Sequence, residues 1–162
     1  MEKFISDKNV KEFVEKSFVT GFQMMHKCPI TVIFIKENNR MFPPLVVPYD
    51  WDESKFFQYI QFCLNEIPES QKPRALVIAS LTMKIKIKRE EGEKFQKAIE
   101  EGDRELLNSV KKQPQLTIFF QTRNGNNNEV ISYNILKNKE LGKRQHINYK
   151  RGEAKTNVDF RW

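Results

Sequence analysis

The chain is poor in the residues that most often carry chemistry. It has two histidines, two cysteines and six glycines in 162 residues. Cys28 and Cys63 form no CxxC pair, and a secreted disulfide scaffold of this size usually carries more cysteine. Free thiols in a reducing, cytoplasmic setting are the expectation. The scattered glycines make no GxxxxGK or GxGxxG phosphate loop, and no GxSxG nucleophile turn occurs. No stretch approaches eighteen apolar residues. The opening MEKFISDKNVKEF lacks the apolar run of a signal peptide or anchor, so no membrane partner is expected.

Metal chemistry meets the same scarcity. His26, Cys28, Cys63 and His146 are the only soft ligands. His26-x-Cys28 is not a usual zinc pair, and Cys63 falls on an apolar helix stripe, where a thiol acts as a small hydrophobe. Metal-dependent nucleases gather carboxylates at strand ends. Here the acids Glu90, Glu91, Glu93, Glu100, Glu101, Asp103 and Glu105 fall on a helix, as a solvated face with Glu–Lys pairs such as Glu93–Lys97. The expectation is a non-enzymatic chain with no cofactor and no metal.

What is present is phenylalanine and positive charge. Thirteen Phe can fill a core in a chain with only four Ala. The net charge is +7. Residues 137–162 hold eight basic and three acidic residues, and the first 136 hold twenty and eighteen. The excess therefore sits near the end, and a local basic surplus attracts phosphate or an acidic partner.

Periodicity gives the elements. SDKNVKEFVEKSFVTGFQMMHK repeats apolar residues every three or four positions, which predicts a helix capped by Ser6 or Asp7. CPITVIFIK is apolar on both faces and predicts a central strand. MFPPLVVPY, with three prolines, is an edge strand at best. A second helix follows with Asp52 as its cap and a Trp51–Phe56 staple. RALVIASLTMKIKIKRE predicts a long strand, with Leu81, Met83, Ile85 and Ile87 inward and Thr82, Lys84, Lys86 and Lys88 outward. EEGEKFQKAIEEGDRELLNSVKKQ is helical, with a break at Gly102 and a fresh cap at Asp103. PQLTIFFQT and NEVISYNIL are two strands around an Asn124-Gly125 turn.

The fold expected is α+β: a single mostly antiparallel or mixed sheet of about five strands with three to four helices, in the order α-β-β-α-β-α-β-β. Residues 1–140 are one domain and 141–162 an extended basic C-terminal strap or arm. The expected core is Phe13, Phe18, Phe22, Ile33, Phe34, Ile60, Leu64, Ile78, Ile99, Ile118 and Phe120.

Two features bear on function. Lys84, Lys86 and Lys88 form a stripe that either lies along a nucleic acid or guards a strand edge. The end of the chain, ELGKRQHINYKRGEAKTNVDFRW, interleaves Lys143, Arg144, Lys150 and Arg151 with Tyr149, Phe160 and Trp162. Rings stack on bases and cations hold phosphates. With Ile147 and Val158 the same rings can anchor a strap or a late strand on the body, or reach across a homodimer, with the cations facing water. The leading reading is a sequence-nonspecific accessory protein on DNA or RNA, contacting phosphates through Lys143, Arg144, Lys150, Arg151, Lys84, Lys86 and Lys88, with Tyr149 as a stacking ring. A protein-interaction or self-assembly module with incidental charge is the alternative, and an enzyme using scattered carboxylates is the third.

Overall fold

The computed structural model describes residues 7–37, 40–47, 53–86, 89–109, 111–151 and 160. Ser6, Trp51, Asp52, Ile87, Lys88 and Trp162 lie outside them. Four α-helices and six strands follow in the order α1 (Asp7–Met25), β1 (Thr31–Ile35), β2 (Leu45–Val46), α2 (Glu53–Glu66), β3 (Ala75–Lys86), α3 (Gly92–Glu101), α4 (Arg104–Ser109), β4 (Lys111–Thr122), β5 (Asn127–Ile135) and β6 (Leu141–Lys150). The strands make one antiparallel sheet in the order β2-β1-β3-β4-β5-β6. The α+β class and the antiparallel sheet agree with the sequence.

The sixth strand is the departure. Leu141–Lys150 pairs with β5 from Asn127↔Lys150 to Tyr133↔Arg144. The stretch resembles a strap because an edge strand with two open faces needs few apolar residues. β4 also begins at Lys111, so Lys111 and Lys112 leave the helix in which their spacing would place them. Pro114 is tolerated because β5 pairs with β4 only from Gln115 onward, which leaves β4 an edge at Pro114.

The two helices cover opposite faces. Val10 and Val14 of α1 pack with Ile33, Ile35, Val77, Ala79, Ile118, Phe120 and Ile131. Phe56, Ile60 and Leu64 of α2 pack with Val32, Leu76, Ile78 and Phe119. Strand alternation requires this split, because successive side chains leave opposite faces. Phe22 joins Leu116 and Ile135 in a smaller cluster at the far end of α1.

Most of the expected core is buried or half-buried, with two exceptions. Phe13 is 59% exposed and Ile99 is 50% exposed. The face of α1 toward the sheet runs through Val10, Val14 and Phe22, which turns Phe13 outward. In α3 the buried position is Ala98, one step round the helix from Ile99. The expected break is present: Gly102 takes φ 69°, and the Asp103 carboxylate accepts the Leu106 N–H at 3.2 Å.

Candidate nucleic-acid interface

The second half of β3 runs past its neighbours. β1 pairs with β3 only up to Thr31↔Ala79, and β5 meets β4 no further than Gln115. Beyond those limits β3 and β4 continue as a two-stranded ribbon from Met83↔Pro114 to Lys86↔Lys111. Leu81 is 45% exposed and Met83 62% exposed, so the alternation expected to bury them stops at Ala79. Both positions belong to the α1 face but find little cover there.

The ribbon concentrates lysine. Lys84, Lys111 and Lys112 are exposed, and the backbone register sets Lys86 directly opposite Lys111. Its eight residues, 83–86 and 111–114, include four lysines and no acid. Like charges directly across a ladder destabilise it. Solubility alone does not require that placement.

Behind the ribbon the α2 face is a polar plain. Ser80, Thr117, Ser132 and Gln145 form one row across four strands, and Thr82, Gln115 and Asn134 form the next. The Gln115 amide donates to Asn134 Oδ1 at 2.8 Å, and the Thr82 and Thr117 hydroxyls bond at 2.6 Å. These two bonds pair polar side chains across neighbouring positions of the face. Lys143 shares the parity of Gln145 and is exposed at its margin, so Lys84 and Lys143 stand on the same face of the sheet.

Two other cations of the C-terminal segment, Arg144 and Arg151, are engaged within the fold. Arg144 projects from the α1 face of β6 and donates from Nε to Glu15 Oε1 at 2.5 Å and from Nη2 to Oε2 at 3.3 Å. The Tyr133 hydroxyl donates to the same carboxylate at 2.6 Å. Burial pushes the Glu15 carboxyl up, but hydrogen bonds from Arg144 and Tyr133 outweigh it and hold the group below its ordinary range. Burial and the Glu15 carboxylate raise the Tyr133 phenol to about 12. Next to this set, Glu129 pairs with Lys11 and accepts a 3.4 Å contact from His146 Nε2.

Arg151 is bound up further. Its Nη1 donates to the carbonyls of Thr122, Arg123 and Gly125 at 3.3, 3.1 and 3.4 Å, and its Nη2 to that of Phe160 at 2.8 Å. It ties the β4–β5 turn to the segment after β6. Phe160 itself is 2% exposed and packs edge-on to Phe57 and Phe119. Tyr149 is half-buried against the same α2-side cluster. Lys150 is exposed on β6. Lys88 and the side chain of Lys86 lie outside what is described. The eight expected contact residues are thus not one surface: Lys84 and Lys143 share a face, whereas Arg144, Tyr149 and Arg151 serve the fold.

Sequence reasoning misses Lys111 and Lys112, which resemble a helix C-terminus. The signal available is Pro114 two residues on, since the residue before a proline is pushed to extended backbone.

The soft ligands do not converge. Cys28 packs on the α1 side and Cys63 sits on α2, across the sheet. His26 ends α1, donating its N–H to the Phe22 carbonyl at 2.7 Å with φ 52°. Among the described residues no three His, Cys, Asp or Glu side chains gather as metal ligands. Among them, too, no helix is long and apolar enough to cross a membrane. Comparison with protein-family models, curated proteins and solved structures found no match.

Proposed function

We propose that the chain is a non-enzymatic accessory protein of the cytoplasm that binds nucleic acid through its phosphates, without reading bases. The binding surface is the lysine end of the β3–β4 ribbon, continued by Lys84 and Lys143 along the polar α2 face. One observation carries the reading: the backbone register sets Lys86 opposite Lys111, with Lys84 on the same face and Lys112 on the other, on a ribbon that outruns the rest of the sheet. Repulsion across that ladder is relieved when a phosphate backbone lies against it. A two-stranded ribbon also fits the duplex major groove. The ribbon residues 83–86 and 111–114 include no aromatic ring for base stacking, which favours duplex over single strand.

The test is a salt titration of binding to random-sequence duplex DNA and RNA. Serine at Lys84, Lys111 and Lys112 flattens the log–log slope by about 0.9 for each duplex DNA phosphate that is no longer neutralised. Wild-type protein with no salt-sensitive binding at low ionic strength overturns the proposal. The interaction-module alternative is favoured by the exposure of Leu81 and Met83 on the same ribbon. It leads if Leu81→Ser with Met83→Ser abolishes self-association while the lysine variant has no effect.

A further inference from the structure

Among the described residues β6 presents an open backbone edge. It is the last strand in the sheet order, with β5 as its one neighbour. Bonded and non-bonded pairs alternate along an antiparallel ladder. Arg151 N–H donates to the Asn126 carbonyl at 2.9 Å, which fixes the phase of that alternation. The register runs unbroken from there to Tyr133↔Arg144. Gln145 and Ile147 therefore bond to β5, while Arg144, His146 and Asn148 aim their N–H and C=O groups outward. Among the described residues no backbone group meets these three. The other edge of the sheet is β2, a strand of two residues, too short to offer the same ladder.

The side chains along this edge choose a partner. From Leu141 to Lys150 there is no acidic residue. On the α1 side Glu15 and Glu129 already answer Arg144 and His146. On the α2 side Lys143 is exposed and Ile147 is 55% exposed. A second copy of β6 would bring the same cations and no carboxylate, so pairing with itself is disfavoured.

We infer that the outer edge of β6 receives an extended acidic segment of a partner protein as a seventh strand. Main-chain bonds to Arg144, His146 and Asn148 hold the segment, and alternate side chains select it. A carboxylate lies across from Lys143 and an apolar residue across from Ile147, four positions apart on one face. The lysine on the edge turns away strands that bring no carboxylate to meet it.

The probe is a fluorescein-labelled ten-residue peptide of alternating Thr and Val, carrying Glu and Ile four positions apart, read by fluorescence anisotropy. His146→Pro removes one outward N–H and leaves the β5 ladder untouched, whereas His146→Ala keeps the N–H. The first weakens binding about tenfold, as does N-methylation of the peptide on its bonding side, while the second changes it little. Lys143→Glu weakens binding of the acidic peptide and improves that of its Lys counterpart. Equal binding of the methylated peptide overturns the inference, because it reports adsorption to a basic surface. A wild-type dimer in sedimentation that His146→Pro splits also overturns it, by giving the edge to a second copy. If His146→Pro fails to fold, the methylated peptide on wild-type protein decides alone.

Discussion

Arg151 donates to the Phe160 carbonyl at 2.8 Å while the Phe160 ring lies buried against Phe119 and Phe57. The pair joins a hydrogen-bond clamp to an aromatic plug at one place. The Arg151 guanidinium meets carbonyls from the β4–β5 turn as well, a fan that an ammonium cannot reproduce.

Removing either half therefore weakens the fold. Phe160→Ala costs about 3–5 kcal/mol in urea unfolding, as for other buried rings. Arg151→Ala costs about 1–3 kcal/mol by leaving carbonyls unpaired, and Arg151→Lys restores only part of it. Lys143→Ser stays within about 0.5 kcal/mol of wild type. An Arg151 variant as stable as wild type would sink the clamp.

Glu15 gives a pH signature. Its folded-state pKa is depressed, so the stabilisation is present above the unfolded-state value and disappears as pH falls through the folded one. Glu15→Gln is less stable than wild type at neutral pH by about 1–2 kcal/mol. The two stability curves converge in acid. A gap that persists unchanged below both values would mean packing, not ionisation, is responsible.

Phe22 and Phe13 lie on one helix with opposite exposure, 2% against 59%. Phe22→Ala costs about 3–5 kcal/mol. Phe13→Ser changes stability by less than about 0.5 kcal/mol. Comparable destabilisation by both would overturn the assignment of the α1 face.

The thiols differ in surroundings. Burial pushes Cys28 up to about 11, so its reactive thiolate is scarce near pH 8. In native protein Cys28 reacts with a disulfide reagent about a hundredfold more slowly than in the unfolded chain. Both cysteines titrate after denaturation without reductant. Mass mapping after brief labelling identifies which thiol has reacted.

The helices and central strands are legible in the sequence because burial leaves a period. Val10, Val14 and Phe22, or Phe56, Ile60 and Leu64, repeat at helical spacing, and Val32 to Ile35 is apolar on both faces. Gly102 and Asp103 announce the break between α3 and α4 by local chemistry alone. β6 is not legible as a strand because Lys143, Arg144, His146 and Lys150 put polar groups on both of its faces, so the stretch carries no apolar period. Leu81 and Met83 mislead for the opposite reason: they alternate like core residues, but the limit of packing is set by where β1 and α1 end. The candidate site is half legible. Lys84 and Lys143 can be identified, but whether Arg144 and Arg151 are free depends on Glu15 and on the β4–β5 turn, contacts that join distant parts of the chain.

The position of Phe160 also sets an order of assembly. Among the described residues the α1-side core takes its last buried residue from Ile135 at the end of β5. Among the described residues the α2-side core takes its last from Phe160, after all six strands have passed. As the chain leaves the ribosome, the two faces of the sheet are finished at different moments. Until Phe160 arrives, Phe57 and Phe119 each lack one edge-on ring neighbour, so the α2 face is the later of the two to close.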